Sequence, residues 1–162
     1  MPNGWMFDTV VFNRVVDHDL DLGFLSGVPV FVTHVQRDEL QQTPDIDRRS
    51  QLFAAFNAVD PGTVRTSSAV WNVSKFGQVD WSSGDGVYDR ILQAIMAGDS
   101  RRRKKKRNPH NQPRDALIAE TALKLDLVLV TEDPALSEAM REMGGHAATL
   151  DEMKATLSHP RP

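Results

Sequence analysis

Four carboxylates give this chain its clearest chemical signal: Asp8 in WMFDTVVF, Glu39 in THVQRDEL, Asp115 in PRDALIAETA and Asp133 in VLVTEDPAL. Each is expected where a strand ends or a helix begins, the edge at which an α/β fold assembles its chemistry. Acids gathered there cannot all stay ionised without a cation, and oxygen donors select a hard divalent ion such as Mg²⁺ or Mn²⁺. The chemistry that follows is metal-assisted hydrolysis, most naturally of a phosphodiester. Every acid also has a purely structural reading. Asp133 before Pro134 is a strong helix N-cap, Asp115 after Pro113 suits the first turn of a helix, and Glu39 fits the polar side of an amphipathic helix. Asp8 is harder to place, since Trp5-Met6-Phe7 precede it and Val10-Val11-Phe12 follow it. A carboxylate buried in such a stretch needs a cation, strong donors or a raised pKa. Thr131, two residues before Asp133, can orient that acid, and Asn13 can hold Asp8 or a phosphate oxygen.

The elements that must position these residues follow from patterning. A buried strand over 5–9 passes into a helix near 10–17. VPVFVTH at 28–34 reads as a short strand or the approach to a helix. A helix over 34–42 is stopped by Thr43-Pro44-Asp45, because the residue before proline is driven out of the helical region. The next helix, 45–57, sets Ile46, Arg49, Leu52, Phe53 and Phe56 mainly on one face. TVRTSSAVWNV at 63–73 is β-branched and expected to be extended. A helix over 86–98 closes at Gly98. Pro113 opens another, with Leu117, Ile118, Thr121, Ala122 and Leu125 as its stripe. LVLVT at 127–131 is a continuous apolar run, the mark of a strand buried on both faces. Asp133-Pro134 then opens a helix ended by Gly144-Gly145, followed by HAATL as a last strand and DEMKATL as a last helix. Strands alternating with helices predict an α/β fold around a mainly parallel sheet.

Bulk properties bound the function. At 162 residues one domain is expected, over 1–157, with a basic loop at 101–112 and a flexible tail at 158–162. There are no cysteines, which excludes disulfides, thiolate zinc sites and cysteine nucleophiles. No apolar run is long enough to cross a membrane and the N-terminus carries no secretory pattern, so a cytoplasmic protein is expected. Of the 19 Lys and Arg, seven form the run Arg101, Arg102, Arg103, Lys104, Lys105, Lys106 and Arg107, leaving 12 against 22 Asp and Glu. An acidic body with one basic segment could hold a polyanion at that segment and metal ions elsewhere; a solvated charged loop is the alternative. The five histidines show no metal-binding pair at helical spacing, and neither a nucleophile elbow nor a Walker phosphate loop occurs. Trp5, Trp71, Trp81 and Tyr88 could stack on bases or pack in a core.

Taken together, these residues resemble the PIN-domain nucleases, over roughly residues 5–145. DTVVFNRVVD matches the family's opening motif at Asp8, THVQRDEL its second at Glu39, and DALIAETALKLDLVLVTEDPAL its third and fourth at Asp115 and Asp133, with the Thr-x-Asp signature on Thr131 and Asp133. The resemblance implies a three-layer α/β/α fold with a short parallel sheet and a Mg²⁺- or Mn²⁺-dependent endoribonuclease. Asp8, Asp115 and Asp133 would be the main metal ligands, with Glu39 as ligand or water-orienting base. Many small members are VapC-type toxins with an antitoxin partner and a homodimeric state. The chain departs from the family at Val10, where many members carry Asn or Ser, and at Glu120, where a small residue is common. Asn13 could replace the first contact, and Glu120 could add a carboxylate to the rim of the cluster. Three other readings stay open: an RNA-processing nuclease that is not a toxin, a phosphatase acting on a small substrate, and a non-catalytic binding module whose acids are helix caps.

Overall fold

A computed structural model describes residues 2–70, 73, 84–102 and 111–158. Five short strands, β1 (Trp5–Phe7), β2 (Val30–Val32), β3 (Gly62–Thr63), β4 (Val128–Val130) and β5 (His146–Ala148), form one parallel sheet in the order β3-β2-β1-β4-β5. Central β1 is in register with both neighbours, Trp5 lying opposite Val30 on one side and Val128 on the other. From β1 the chain moves outward to β2 and β3, then returns to lay β4 and β5 on the other side. The reversal puts a topological switch point between β1 and β4, beyond whose carboxyl ends an open α/β sheet forms its crevice.

Seven helices are seen among the described residues: α1 (Thr9–Asp17), α2 (His34–Gln41), α3 (Ile46–Val59), α4 (Val87–Arg101), α5 (Asn111–Lys124), α6 (Pro134–Glu142) and α7 (Leu150–Ser158). Alternation along the strands divides the core. Met6 and Leu129 pack with α4, α5 and α6 on one face, whereas Phe7, Val30, Val32 and Val130 pack with α1, α3 and α7 on the other. This is the three-layer α/β/α arrangement, with both faces of the parallel sheet covered. Helix α2 serves both layers, through Val35 and Leu40.

Several local expectations are corrected. Helix α4 runs through Gly98 to Arg101. A Cβ at Gly98 would lie 3.1 Å from Ala135 Cβ, so this glycine permits close approach of α4 and α6 rather than ending a helix. Helix α5 begins at Asn111, which leaves Pro113 in its third position, where no intrahelical N–H is required. Arg101, Asn111 and Gln112 are therefore helical rather than part of the loop expected over 101–112. The buried surface of α5 is wider than a stripe: residues 115–122 are buried all round, while Leu125 is 40% exposed. A helix enclosed by α4, α6 and the sheet has no solvent face to leave polar. Ile46 is 68% exposed rather than on the buried face of α3. Among the described residues of the extended segment expected at 63–73, Thr63 alone joins a strand, and Ser158 belongs to α7 rather than to the tail.

Gly4 leads into β1 at φ +154°, and a Cβ there would meet Pro29 O at 2.9 Å and Phe31 Cε2 at 2.8 Å. Backbone conformation and space both exclude a side chain. Gly4→Ala is expected to destabilise the chain by on the order of 2 kcal/mol, read as a lowered urea midpoint at constant m. An unchanged midpoint would mean that this turn relaxes freely.

Candidate active site

Asp8 follows β1 directly. Its amide donates to Val130 O at 3.0 Å, holding the residue against the end of β4. The carboxylate is buried. Oδ1 accepts from Thr9 N at 2.7 Å, capping α1, and Oδ2 accepts from the Thr131 hydroxyl at 2.7 Å. Burial pushes its pKa from 3.8 up to about 6; the Thr131 and Thr9 hydrogen bonds pull it back, and the charges of Glu39 and Asp133 push it further up. Asp133 follows β4 and caps α6, Oδ1 accepting from Ala135 N at 2.8 Å and Leu136 N at 3.3 Å. The Thr131 hydroxyl also accepts from Asp133 N at 3.0 Å. One side chain thus ties two acids to the ends of adjacent strands.

Glu39 and Asp115 come from helices. Helix α2 is set by a capping box: Val35 N donates to Thr33 Oγ1 at 3.1 Å and Thr33 N to Gln36 Oε1 at 2.9 Å. Gln36 Nε2 also donates to Phe7 O at 2.7 Å, docking α2 at the end of β1. Glu39, one turn later, then faces Asp8 and accepts the Thr9 hydroxyl at Oε2. Asp115 is buried in the second turn of α5. Asp8 and Asp133 therefore occupy strand-to-helix junctions as expected, whereas Glu39 and Asp115 project from within helices.

All four acids line one cleft of about 470 Å³, together with Thr9, Val10, Asn13, Gln42, Asn111, Arg114 and Glu132. Thr131 stands behind it. Among the described residues no three His, Asp or Glu side chains are grouped closely enough to hold a metal ion as they stand. Hydroxyls and backbone amides take oxygens of Asp8, Glu39 and Asp133, and like charges in one cleft repel. The donor set still fits a hard divalent cation in kind and charge: oxygen ligands only, with a carboxylate whose ionisation is opposed by burial and by the charges of Glu39 and Asp133.

The remaining candidates divide. Asn13 lines the cleft but does not bond Asp8: its Oδ1 accepts from Arg48 Nη2 at 2.9 Å and its Nδ2 donates to Thr9 O at 3.4 Å. Glu120 does not join the rim. It is buried within α5, accepting from Ser68 Oγ and Lys124 Nζ, both at 2.8 Å. Arg101 and Arg102 end α4 and pair with Glu138 of α6, Arg101 Nη2 at 3.6 Å from Glu138 Oε2. Residues 103–107, Trp71 and Trp81 lie outside the described residues. Thr9, Gln42, Arg114 and Glu132 join the site without standing out in the sequence. Glu132, beside Asp133, carries a local signal, but its role is long-range: Oε1 accepts from Arg14 Nη1 at 2.5 Å and from Leu150 N at 3.0 Å.

Comparison with known proteins shows the fold. The structure of PAE2754 from Pyrobaculum aerophilum superposes with a TM-score of 0.53 at 14% identity, covering 96% of this chain and 95% of that one. VapBC2 from Rickettsia felis, solved bound to a promoter DNA fragment, aligns over 90% of this chain and 97% of its own at 10% identity and a TM-score of 0.45. VapBC-5 from Mycobacterium tuberculosis, of the VapBC family of toxin-antitoxin systems, aligns over 91% and 98% at 19% identity and 0.44. No family model matches the sequence, and no curated protein matches it.

Proposed function

We propose that this chain is a PIN-domain endoribonuclease that uses Mg²⁺ or Mn²⁺ to hydrolyse RNA phosphodiester bonds. The observation that carries the reading is the convergence of Asp8, Glu39, Asp115 and Asp133, from separate elements, on one cleft at the switch point of the sheet. The four sequence motifs support it independently. Asp8, Asp115 and Asp133 would hold the ion, with Glu39 completing the set or orienting the attacking water. The ion, when bound, offsets charge gathering on the phosphate and makes water a competent nucleophile near neutral pH.

The chain's own residues supply the positioning. Thr131 and Thr9 N hold Asp8, the Thr9 hydroxyl holds Glu39, and the first amides of α6 hold Asp133. In this scheme water, rather than the ribose 2′-hydroxyl, attacks phosphorus and the P–O3′ bond breaks, the leaving O3′ taking a proton, so the products carry a 5′-phosphate and a 3′-hydroxyl. The test is a mixed panel of single-stranded RNA and small phosphate esters with Mn²⁺. RNA cutting that EDTA blocks is the expected result. Ester hydrolysis alone would identify a phosphatase, and RNA binding without cutting a binding module.

The same resemblance supports a VapC-type toxin with a cognate antitoxin protein and a homodimeric state. A small overlapping reading frame upstream would favour that role over RNA maturation or decay. No helix among the described residues is long and apolar enough to cross a membrane. The run Arg103, Lys104, Lys105, Lys106 and Arg107 is proposed to bind phosphates. Replacing these five with Gln is expected to weaken RNA binding and flatten the salt slope by roughly 0.7 for each phosphate no longer neutralised. Unchanged binding across a KCl titration would remove the run from the interface.

A further inference from the structure

The acidic cleft contains a cation of its own. Arg114 lines it, next to Asp115, with Nη1 3.8 Å from Glu39 Oε1 and Nη2 donating to Gln42 Oε1 at 3.2 Å. The approach to Glu39 is too long for a hydrogen bond and acts through charge. Among the described residues, Gln42 takes one of the five guanidinium donors. Both side chains are shielded, 22% exposed for Arg114 and 15% for Glu39. Glu39 Oε2 accepts the Thr9 hydroxyl while Oε1 lies toward the Arg114 guanidinium. Among the described residues, Arg14 pairs with Glu132 and Asp151, and Arg48 with Asp17 and Asn13.

We infer that Arg114 is a resident counter-ion of the cleft and, once a divalent ion takes over the charge of Glu39, a residue that grips the substrate phosphate. The inference rests on the ribonuclease reading above. A guanidinium and a divalent cation compete for the same negative charge, so the arginine holds the metal-free cleft together at the expense of metal affinity. Freed from Glu39, its planar fork matches two phosphate oxygens at the place where a phosphodiester must approach four acids. One residue is thereby assigned effects of opposite sign on metal and on substrate.

Arg114→Gln and Arg114→Lys in the full chain test this in two assays: calorimetric titration with Mn²⁺ alone, and kcat and KM on a single-stranded RNA oligonucleotide. Arg114→Gln is expected to bind Mn²⁺ about three- to tenfold more tightly, a partly screened competing charge having gone. Its kcat/KM should nevertheless fall about tenfold or more, with the fork removed. Arg114→Lys should restore the wild-type Mn²⁺ affinity but only part of kcat/KM. Unchanged or weaker Mn²⁺ binding by Arg114→Gln overturns the counter-ion role, and unchanged kcat/KM overturns the phosphate role. Arg114→Lys equal to wild type in kcat/KM overturns the forked grip. A wild-type chain that binds Mn²⁺ without cutting RNA would instead defeat the ribonuclease reading, with the Mn²⁺ arm still deciding the counter-ion role.

Discussion

Asp8→Asn is expected to abolish RNA cleavage while making the metal-free chain more stable at neutral pH. The two effects share one cause. Burial holds the Asp8 pKa at about 6, against 3.8 in the unfolded chain, so the folded state binds this proton more tightly. Below pH 3.8 both states are protonated and the group costs nothing. Between 3.8 and about 6 the unfolded chain releases its proton first, and stability falls as pH rises. Above about 6 the full penalty remains, on the order of 2–3 kcal/mol for a shift of this size. Asn keeps the helix cap, since its oxygen can accept from Thr9 N and its amide can donate to Thr131. The charge alone is removed. Thermal melts in EDTA should show Asp8→Asn gaining stability at about pH 7.5 and losing that advantage as pH falls toward about 4. Cleavage with Mn²⁺ should drop by about 10²-fold or more. A variant that cuts RNA at the wild-type rate, with contaminating nuclease excluded, would remove Asp8 from the site. A variant less stable than wild type at neutral pH would show that the carboxylate is satisfied where it lies.

Thr131→Val is expected to do the reverse to stability and also to impair cleavage. The hydroxyl donates to Asp8 Oδ2 at 2.7 Å and accepts from Asp133 N at 3.0 Å, in a buried position. Valine has the same shape without either function. Losing a hydrogen bond to a buried carboxylate costs about 1.5–3 kcal/mol, and Asp8 would move further above its ordinary range. Because Thr131 orients two acids at once, cleavage should fall about 10- to 100-fold, the usual cost of removing a group that supports metal ligands. A double-mutant cycle isolates the hydrogen bond. In the Asp8→Asn background there is no carboxylate charge to solvate, so the stability cost of Thr131→Val should shrink by about 1 kcal/mol or more. Equal costs in both backgrounds would assign the effect to Asp133 or to packing.

Much of this is legible in the chain because it is local. Asp133 and Thr131 announce a strand-to-helix junction within a few residues, and the run LVLVT is apolar on both faces because helices cover both. Asp8 stands out because a single acid interrupts an apolar stretch of sequence, although the strand itself ends at Phe7. The corrected expectations share a different origin. Gly98 looks like a helix stop, but its missing Cβ is needed by Ala135, 37 positions away in the chain. The stripe of α5 is too narrow because burial from every side is imposed by α4, α6 and the sheet, not by its own periodicity. Glu120 looks like one more acid for the cluster, yet helical rotation turns it toward Ser68 and Lys124.

The sequence by itself determined the order of the elements, the cap that starts α6, and the choice of the four acids as candidates, since each depends on neighbours a few residues apart. Only the tertiary structure decided which groups answer those acids. Thr9 reaches Glu39 across 30 residues, Thr131 reaches Asp8 across 123, and Arg114 meets Glu39 because α2 and α5 flank the same cleft. Such pairings are set by the order of strands in the sheet, which brings distant strand ends together, and no local spacing encodes that distance.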